Sequence, residues 1–191
     1  HWVLMTACRQ LRAWMDDGID IGEMAVNISA HQFKQPGFAR SVQAILAETG
    51  VPASRLELEI TESALIEDHE GAQATLMALR SRGVRVAMDD FGTGYSSLAY
   101  LRRFTLDKLK IDGMFVRSLD SDAAAQAVVM AIISLARALR LETTAEGIET
   151  PGQLMMLKAL GCDDVQGYLI ARPMPASEVP AYLSKVQAVT V

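Results

Sequence analysis

The sequence predicts an α/β protein built on a parallel sheet, and among parallel-sheet folds it favours a (β/α) barrel. Short apolar, β-branched runs alternate with amphipathic helical patterns along all 191 residues, which is the order expected of repeated βα units. A polar side chain also marks the end of each of six predicted strands, at intervals of 32, 30, 21, 36 and 20 residues. In chain order these polar residues are Asn27, Glu59, Asp89, Lys110, Glu146 and Gln166.

The six strands are predicted from the composition and alternation of their apolar residues. In the clearest case, Leu56, Leu58 and Ile60 alternate with polar residues, as expected for a strand with one buried face. Another apolar run, which begins at Val84, leads directly into Asp89. The predicted strands are 24–29, 56–61, 84–89, 106–111, 141–145 and 164–170.

Helices are predicted where apolar residues recur every three or four positions. The best-defined ends belong to one helix near the C-terminus. Thr150 and Gln153 match a capping box, Pro151 takes the first helical position, and Gly161 ends the helix. Asp68 is the predicted N-cap of an earlier helix. The predicted helices are 2–16, 38–48, 68–82, 121–139, 151–160 and 177–186.

A doubly wound open sheet is the competing fold, but it would collect its ligands at one switch point rather than around a ring. A polar side chain from every predicted strand therefore favours the barrel. A complete barrel has eight strands and about 250 residues, whereas only six strands are predicted here. From this we expect residues 1–191 to form one domain that lacks about sixty N-terminal residues, equivalent to two strands and their connections.

The composition excludes several classes of protein. Half of the residues are apolar, no apolar run approaches the length of a membrane span, and no secretory leader opens the sequence. The net charge of −5 argues against binding along a long nucleic acid, which needs a basic surface. Cys8 and Cys162 are far apart and are expected to be reduced thiols. We therefore expect a cytoplasmic domain, although the complete protein could be anchored in a membrane.

The segment 88–98 carries the strongest chemical signal in the sequence. Asp89 and Asp90 are adjacent carboxylates at the predicted end of a strand, and they repel each other unless a cation lies between them. Carboxylate oxygens are preferred ligands of hard divalent cations such as Mg²⁺ or Mn²⁺. Gly92 and Gly94 follow, and glycine permits the backbone angles of a tight loop. The sequence thus predicts a divalent metal site at the two aspartates, completed by residues from other strand ends.

Two nucleotide-binding motifs overlap this segment, but the sequence lacks the rest of each motif. Asp90-Phe91-Gly92 has the letters of the kinase metal-binding motif, yet no His-Arg-Asp loop or glycine-rich nucleotide loop accompanies it. Gly92 and Gly94 lack the third glycine of a dinucleotide-binding fingerprint. A metal site without either motif is therefore the preferred interpretation.

Six short motifs, taken together, resemble the EAL family of cyclic-di-GMP phosphodiesterases, and they occur in the order found in that family. The motifs are Asn27-Ile28-Ser29, Glu59-Ile60-Thr61-Glu62-Ser63, Asp89-Asp90-Phe91-Gly92-Thr93-Gly94, Lys110-Ile111-Asp112, Glu146-Gly147-Ile148-Glu149 and Gln166-Gly167-Tyr168. The resemblance implies a TIM-like barrel with one reversed strand. The Glu-Ala-Leu signature that names the family is absent and would lie on a strand before the helix 2–16. Ile170 also replaces an aromatic residue that is frequent in the family.

The resemblance implies a site that holds two Mg²⁺ or Mn²⁺ ions. Its implied metal ligands in this sequence are Asn27, Glu59, Asp89, Asp90 and Glu146, with the glutamate of the absent signature as a further ligand. Lys110 would orient the attacking water or a phosphate oxygen, and Glu146 would also serve as the general base.

Four more residues are implied to support the site. Glu149 is implied among the catalytic groups, and Gln166 and Asp112 are implied near the substrate. Glu62 is implied to steady the loop 91–98, which would couple dimer contacts to the site.

Three of these residues also have purely structural explanations. Lys110 could instead pair with Glu59 or Glu146 as an ion pair that lines the barrel. Glu149 precedes the Thr150 cap, where an acidic side chain favours a helix N-terminus. Asn27 could simply cap a turn.

The resemblance implies hydrolysis of cyclic-di-GMP to linear pGpG. The alternative is a degenerate domain that binds cyclic-di-GMP as a receptor and does not cut it. Such relatives usually lose metal ligands, and those that the sequence contains are intact, which favours the enzyme. The implied partners are cyclic-di-GMP, a second copy of the chain in a homodimer, and attached sensor or GGDEF-type domains.

Overall fold

The computed structural model describes residues 1–66, 69–92 and 101–189. Its centre is a six-stranded parallel sheet whose strands lie side by side in chain order. The strands are β1 (Met24–Ile28), β2 (Leu56–Thr61), β3 (Arg85–Phe91), β4 (Lys108–Ile111), β5 (Glu142–Ala145) and β6 (Asp164–Val165). The sheet curls like half of a barrel, so the predicted class of fold and the number of described strands are both confirmed.

Helices precede, connect and follow the strands, and among those described none is long and apolar enough to cross a membrane. They are α1 (Trp2–Asp16), α2 (Ala30–Phe33), α3 (Phe38–Thr49), α4 (Glu62–Ile66), α5 (His69–Arg80), α6 (Gly113–Val116), α7 (Ala123–Ala138), α8 (Pro151–Leu160) and α9 (Val179–Val189). Short 3₁₀ turns lie at Ala53–Arg55 and Ala176–Glu178. The predicted cap Asp68 falls outside the described residues.

The capping box predicted for α8 is present. The N–H of Gln153 donates to the Thr150 hydroxyl, and the N–H of Thr150 donates to the Gln153 side-chain oxygen. Gly161 ends the helix with a left-handed φ of 77°. Since these bonds satisfy backbone groups that a helix end otherwise leaves unpaired, they hold the start of α8 directly after the turn that follows β5.

The two faces of the sheet have different chemistry. On β2, Leu58 and Ile60 are fully buried in the apolar core. Successive side chains of a strand point to opposite faces, so Glu57 and Glu59 point the other way, into the hollow of the arc. There they meet charged groups from other strands, and both are buried. The arc therefore has an apolar outer layer beneath the helices and a charged lining inside.

The last strand is shorter than predicted. The sequence predicted a strand over 164–170, but β6 ends at Val165. The reason is the close packing of Gly167, where a Cβ would lie only 2.2 Å from the backbone nitrogen of Ile148. The chain turns at this point, and the N–H groups of Ile170 and Ala171 both donate to the Gly167 carbonyl.

Candidate metal centre and active site

The carboxyl ends of the strands bring three predicted metal ligands together. Asp89, Asp90 and Glu146 each offer a carboxylate oxygen, and these atoms all lie within 4.8 Å of one another. The two aspartates belong to the end of β3, whereas Glu146 follows β5. Only β4 separates these strands, so the side chains at their ends converge on one rim of the arc.

A bulge in β3 explains how two adjacent aspartates reach the same cluster. Side chains of neighbouring residues on a regular strand point to opposite faces, which would separate the two carboxylates. Here Met88 pairs with Leu109 of β4. The next paired residue of β3, Phe91, faces Ile111, so β3 carries one residue more than β4 in this interval. Asp90 lies within the bulge and has a left-handed φ of 56°, which residues other than glycine rarely adopt.

Lys110 supplies a positive charge beside the carboxylates. Its Nζ lies 2.5 Å from Oε1 of Glu146, 2.8 Å from Oε1 of Glu59 and 3.2 Å from Oδ1 of Asp89. Burial alone would lower the pKa of Lys110, but the hydrogen bonds to Glu146 and Glu59 raise the pKa above its usual value. Lys110 is therefore charged, and it is both an ion-pair partner inside the barrel and a member of the rim cluster.

The crowding of carboxylates changes their titration. Burial raises the pKa of Glu146, and Lys110 opposes this effect. The pKa of Asp90 is also raised, first by burial and then by repulsion from Asp89 and Asp112. A hydrogen bond with Asp112 contributes to the raised pKa of Asp90 as well, while the supporting role of Asp112 stays a prediction. The protonated carboxyl is favoured at such positions unless additional positive charge is supplied.

The donor set fits a hard divalent cation. The clustered ligand atoms are carboxylate oxygens, and in the described part of the chain neither histidine nor cysteine joins them. Oxygen-only sites suit Mg²⁺ and Mn²⁺, whereas zinc prefers nitrogen and sulfur ligands. Three carboxylates beside one ammonium group also leave net negative charge at the rim.

Asn27 and Glu59 lie on neighbouring strands next to this cluster. Asn27 is opposite Glu59 in the pairing of β1 with β2, so their side chains share the inner face. Glu59 is buried and is connected to the cluster through Lys110. The structure thus places both residues at the same rim, while their roles as metal ligands stay predictions.

Glu62 is buried beside the start of the loop that follows β3. Its Oε2 accepts a hydrogen bond of 3.3 Å from the N–H of Gly92. A Cβ at Gly92 would lie 2.9 Å from the Phe115 ring, and the φ of 94° also favours glycine here. The predicted role of Glu62 concerns the loop 91–98, of which residues 93–98 lie outside the described part of the chain.

Hydrogen bonds of their backbone N–H groups hold Glu149 and Gln166 near the rim. The N–H of Glu149 donates to Oε1 of Gln153, which attaches this turn to the capping box of α8. The N–H of Gln166 donates to the Ala145 carbonyl at the end of β5. Both side chains are exposed, and among the hydrogen bonds and ion pairs of the described residues neither one joins the carboxylate cluster. The position of Glu149 directly before the N-cap of α8 therefore fits the structural explanation, in which its acidic side chain favours the helix N-terminus.

A second charged layer lies inside the arc, closer to the amino ends of the strands. Its members are Glu23, Glu57, Arg85, Lys108, Glu142 and Asp164. Nζ of Lys108 lies 3.1 Å from Oδ2 of Asp164 and 3.4 Å from Oε2 of Glu57. Sequence reasoning did not single out this layer. The repeated spacing Glu57-x-Glu59 and Lys108-x-Lys110 is the signal that could have indicated it.

Comparison with known proteins identifies relatives along nearly the whole chain. A family model described as the EAL domain matches residues 1–173. The chain is 45% identical over 181 residues to the bifunctional diguanylate cyclase/cyclic di-GMP phosphodiesterase MucR of Pseudomonas aeruginosa, which covers 95% of this chain and 26% of that protein. It is 39% identical to the cyclic di-GMP phosphodiesterase PdeR of Escherichia coli, covering 92% of this chain and 26% of that protein. The chain therefore spans about a quarter of the length of these curated relatives.

Solved structures agree with the sequence relatives. A structure described as the PaMucR phosphodiesterase in complex with c-di-GMP superposes with a TM-score of 0.89 at 45% identity, over 93% of this chain and 72% of that chain. The EAL domain of Mycobacterium smegmatis DcpA gives a TM-score of 0.90 at 41% identity, over 96% of this chain and 83% of that chain. These matches confirm the TIM-like class of fold. The six motifs, the curled parallel sheet and the match over residues 1–173 together show that this chain belongs to the EAL domain family.

Proposed function

We propose that this chain is the catalytic domain of a metal-dependent phosphodiesterase that hydrolyses cyclic-di-GMP to linear pGpG. The observation that carries the proposal is the convergence of Asp89, Asp90 and Glu146 within 4.8 Å, beside the ammonium group of Lys110. Two relatives with 39% and 45% identity are named as cyclic di-GMP phosphodiesterases, and one solved relative is described as a c-di-GMP complex. These names support the proposed substrate.

The proposed cofactor is Mg²⁺ or Mn²⁺ in a two-metal site. Asp89, Asp90 and Glu146 would hold the ions, with Glu59 and Asn27 as the further ligands at the same rim. When bound, a pair of such ions neutralises the phosphate and activates water for in-line attack. The clustered carboxylates carry more negative charge than the ammonium group of Lys110 neutralises. This excess negative charge favours the binding of divalent cations rather than of a second ammonium group.

Glu146 and Lys110 have complementary roles in the proposed reaction. Lys110 holds Oε1 of Glu146 at 2.5 Å and so orients the carboxylate. Oε2 of Glu146 is the proposed acceptor of a proton from the attacking water. Burial raises the pKa of this carboxyl, and a carboxylate with a raised pKa is a stronger base. The charged ammonium of Lys110 would also donate a hydrogen bond to a phosphate oxygen as negative charge develops there.

The test uses the longest natural protein that contains this chain, incubated with cyclic-di-GMP and either Mg²⁺ or Mn²⁺. Chromatography is expected to detect linear pGpG. Glu146→Gln should lower kcat by about 100-fold or more while leaving nucleotide affinity unchanged, because it removes the proposed base and keeps the shape of the side chain. Glu178→Gln, at an exposed glutamate outside the sheet, is the matched control and should behave like the parent protein.

Two outcomes would change the proposal. Nucleotide binding by the parent protein without any linear product would replace the phosphodiesterase with a cyclic-di-GMP receptor. A loss of affinity in Glu146→Gln as steep as the loss of rate would reassign Glu146 from proton transfer to binding.

We also propose that the chain works as part of a larger assembly. The assembly comprises a homodimer and attached sensor or GGDEF-type domains, with further barrel strands contributed by sequence upstream of His1. The attached domains are supported by the coverage of only 26% of MucR, a protein with two named activities. Light scattering of the full-length protein tests the dimer, and a monomer at assay concentration would contradict it. A version limited to residues 1–191 should hydrolyse cyclic-di-GMP far more slowly than the full-length protein.

A further inference from the structure

We propose that Lys108 is a positioning residue that keeps Lys110 at the rim. Lys108 does so by forming an ion pair with Glu57, a carboxylate in the layer below the site. Without Lys108, Glu57 would compete with the rim carboxylates for the ammonium group of Lys110. The catalytic consequence of this inference rests on the proposed phosphodiesterase activity, whereas the positions of the side chains do not.

The two lysines and the two glutamates form matching pairs on two strands. Lys108 and Lys110 are two residues apart on β4, so both side chains point into the arc, and Glu57 and Glu59 have the same relation on β2. Lys110 Nζ lies 2.8 Å from Glu59, and Lys108 Nζ lies 3.4 Å from Glu57. Each lysine therefore has its own glutamate partner on β2: Lys110 pairs with Glu59 at the rim, and Lys108 pairs with Glu57 in the layer below.

These pairs reach across β3, which lies between the two strands. The residue of β3 at the crossing is Ala87, which pairs with Glu59 on one side and with Lys108 on the other. Its fully buried methyl group leaves room for the long side chains to pass over it. The same space would let a lysine of β4 change its glutamate partner on β2. Inward-facing residues of a strand are only about 6–7 Å apart, and lysine has a flexible four-carbon stem.

Glu57 would attract Lys110 if Lys108 were absent. Glu57 is only 3% exposed, and a buried carboxylate that loses its cation is strongly destabilised. The other cation within reach is Arg85, whose Nε is 3.6 Å from Glu57 and 3.3 Å from Glu23, and which also pairs with Glu142. Arg85 is therefore already shared among three carboxylates, and Lys110 is the other lysine of β4.

Lys108 is itself held at the lower level. Its second partner is Asp164 on β6, at 3.1 Å, so its ammonium group bridges β2 and β6. Because Lys108 forms ion pairs on both β2 and β6, it stays paired with Glu57. Lys110 then finds its partners at the rim, in Glu59, Asp89 and Glu146.

The test compares Lys108→Met with the double variant Glu57→Gln/Lys108→Met in the full-length protein. Lys108→Met should lower kcat about 10- to 100-fold with KM unchanged, because Lys110 turns away from Glu146. The double variant should recover kcat to within about threefold of the parent, because the amide no longer attracts the ammonium group. Lys158→Met, at an exposed lysine of α8, is the control for the loss of a lysine.

A second readout is independent of turnover. In a crystal structure of metal-free Lys108→Met, Nζ of Lys110 should lie within ion-pair distance of Glu57, and Mn²⁺ affinity measured by electron paramagnetic resonance should rise because the rim carboxylates are released. If Lys108→Met does not fold, Lys108→Gln gives the same comparison, since it keeps a donor for Glu57 but no charge.

The inference is overturned if Lys110 stays at the rim in the variant, or if the double variant is no more active than the single one. Failure of the parent protein to hydrolyse cyclic-di-GMP would instead reject the proposed function. In that case the crystal structure and the Mn²⁺ measurement still decide whether Lys108 positions Lys110.

Discussion

The Cα of Gly113 lies 3.2 Å from the point that a Cβ on Gly147 would occupy. The turn after β4 and the turn after β5 therefore touch backbone to backbone. Asp112 precedes one of these glycines and Glu146 precedes the other, so the contact holds together the two turns that carry these acidic residues. Gly147 also has a left-handed φ of 70°, which adds a conformational reason for glycine.

Gly147→Ala is expected to destabilise the fold more than a change at a glycine with similar backbone angles. Gly18 has a φ of 74° and open space around its Cα, so Gly18→Ala should cost about 1–2 kcal/mol from the backbone alone. Gly147→Ala should cost about 1–3 kcal/mol more, because the methyl group pushes the two turns apart. The free energy of unfolding in urea measures both, and equal losses would show that the contact between the turns is unimportant.

Replacement of Lys110 by methionine should weaken the metal-free fold. Glu59, Asp89 and Glu146 would lose their shared cation, and breaking a buried ion pair from one side costs about 3–5 kcal/mol. Mn²⁺ should raise the Tm of this variant more than that of the parent, because the ion no longer competes with an ammonium group. The melting temperature is measured with and without Mn²⁺, with Lys158→Met as the control. An equal rise in both proteins would argue against an ion among these carboxylates.

Gln153→Ala should loosen the turn that carries Glu146. The Gln153 side chain is 4% exposed, accepts hydrogen bonds from the N–H groups of Glu149 and Thr150, and donates to the Arg117 carbonyl. The loss of these bonds should cost about 1–3 kcal/mol of unfolding free energy. Chemical denaturation measures the effect.

The matched control is Gln43→Ala, at an exposed position of α3, which should change stability by less than about 0.5 kcal/mol. A similar loss in both variants would mean that the buried amide contributes no more than a surface one.

Both cysteines should react slowly with thiol reagents in the folded protein. Burial raises the pKa of the Cys8 thiol and of the Cys162 thiol, so the reactive thiolate is a smaller fraction at pH 8 than in a free cysteine. Cys8 is fully buried and Cys162 is partly exposed, so Cys162 should react first. Colour release from a disulfide reagent measures the two rates, and urea should expose both thiols. Fast labelling of Cys8 without denaturant would contradict the packing of α1.

The strand ends that form the rim could be predicted because they depend on local patterns. The alternation around Glu59 predicts β2 with its observed bounds, and the apolar run before Asp89 predicts β3, which continues two residues further, to Phe91. Parallel strands then bring these ends to one edge without further information. This is why the three predicted ligands Asp89, Asp90 and Glu146 lie together at the rim, while their role as ligands stays a prediction.

The bulge in β3 and the second charged layer could not be predicted in the same way. Both depend on the register between strands, and the sequence pattern of one strand does not contain that register. Aspartate adopts a left-handed backbone more often than most residues, but its residue type alone does not predict one at Asp90. The ion pair of Lys108 with Glu57 likewise becomes visible only when the strands are placed together. The early end of β6 likewise depends on the contact between Gly167 and Ile148.

The order of the strands has a consequence for how the protein is made. Because β1 to β6 lie side by side in chain order, each strand can dock on its predecessor as it leaves the ribosome. Glu57 and Glu59 emerge well before Lys108 and Lys110, and at roughly 5–20 residues per second the nascent chain carries these acids for seconds without their lysine partners. The arrival of β4 is then the step of synthesis at which Glu57 and Glu59 gain their lysine partners.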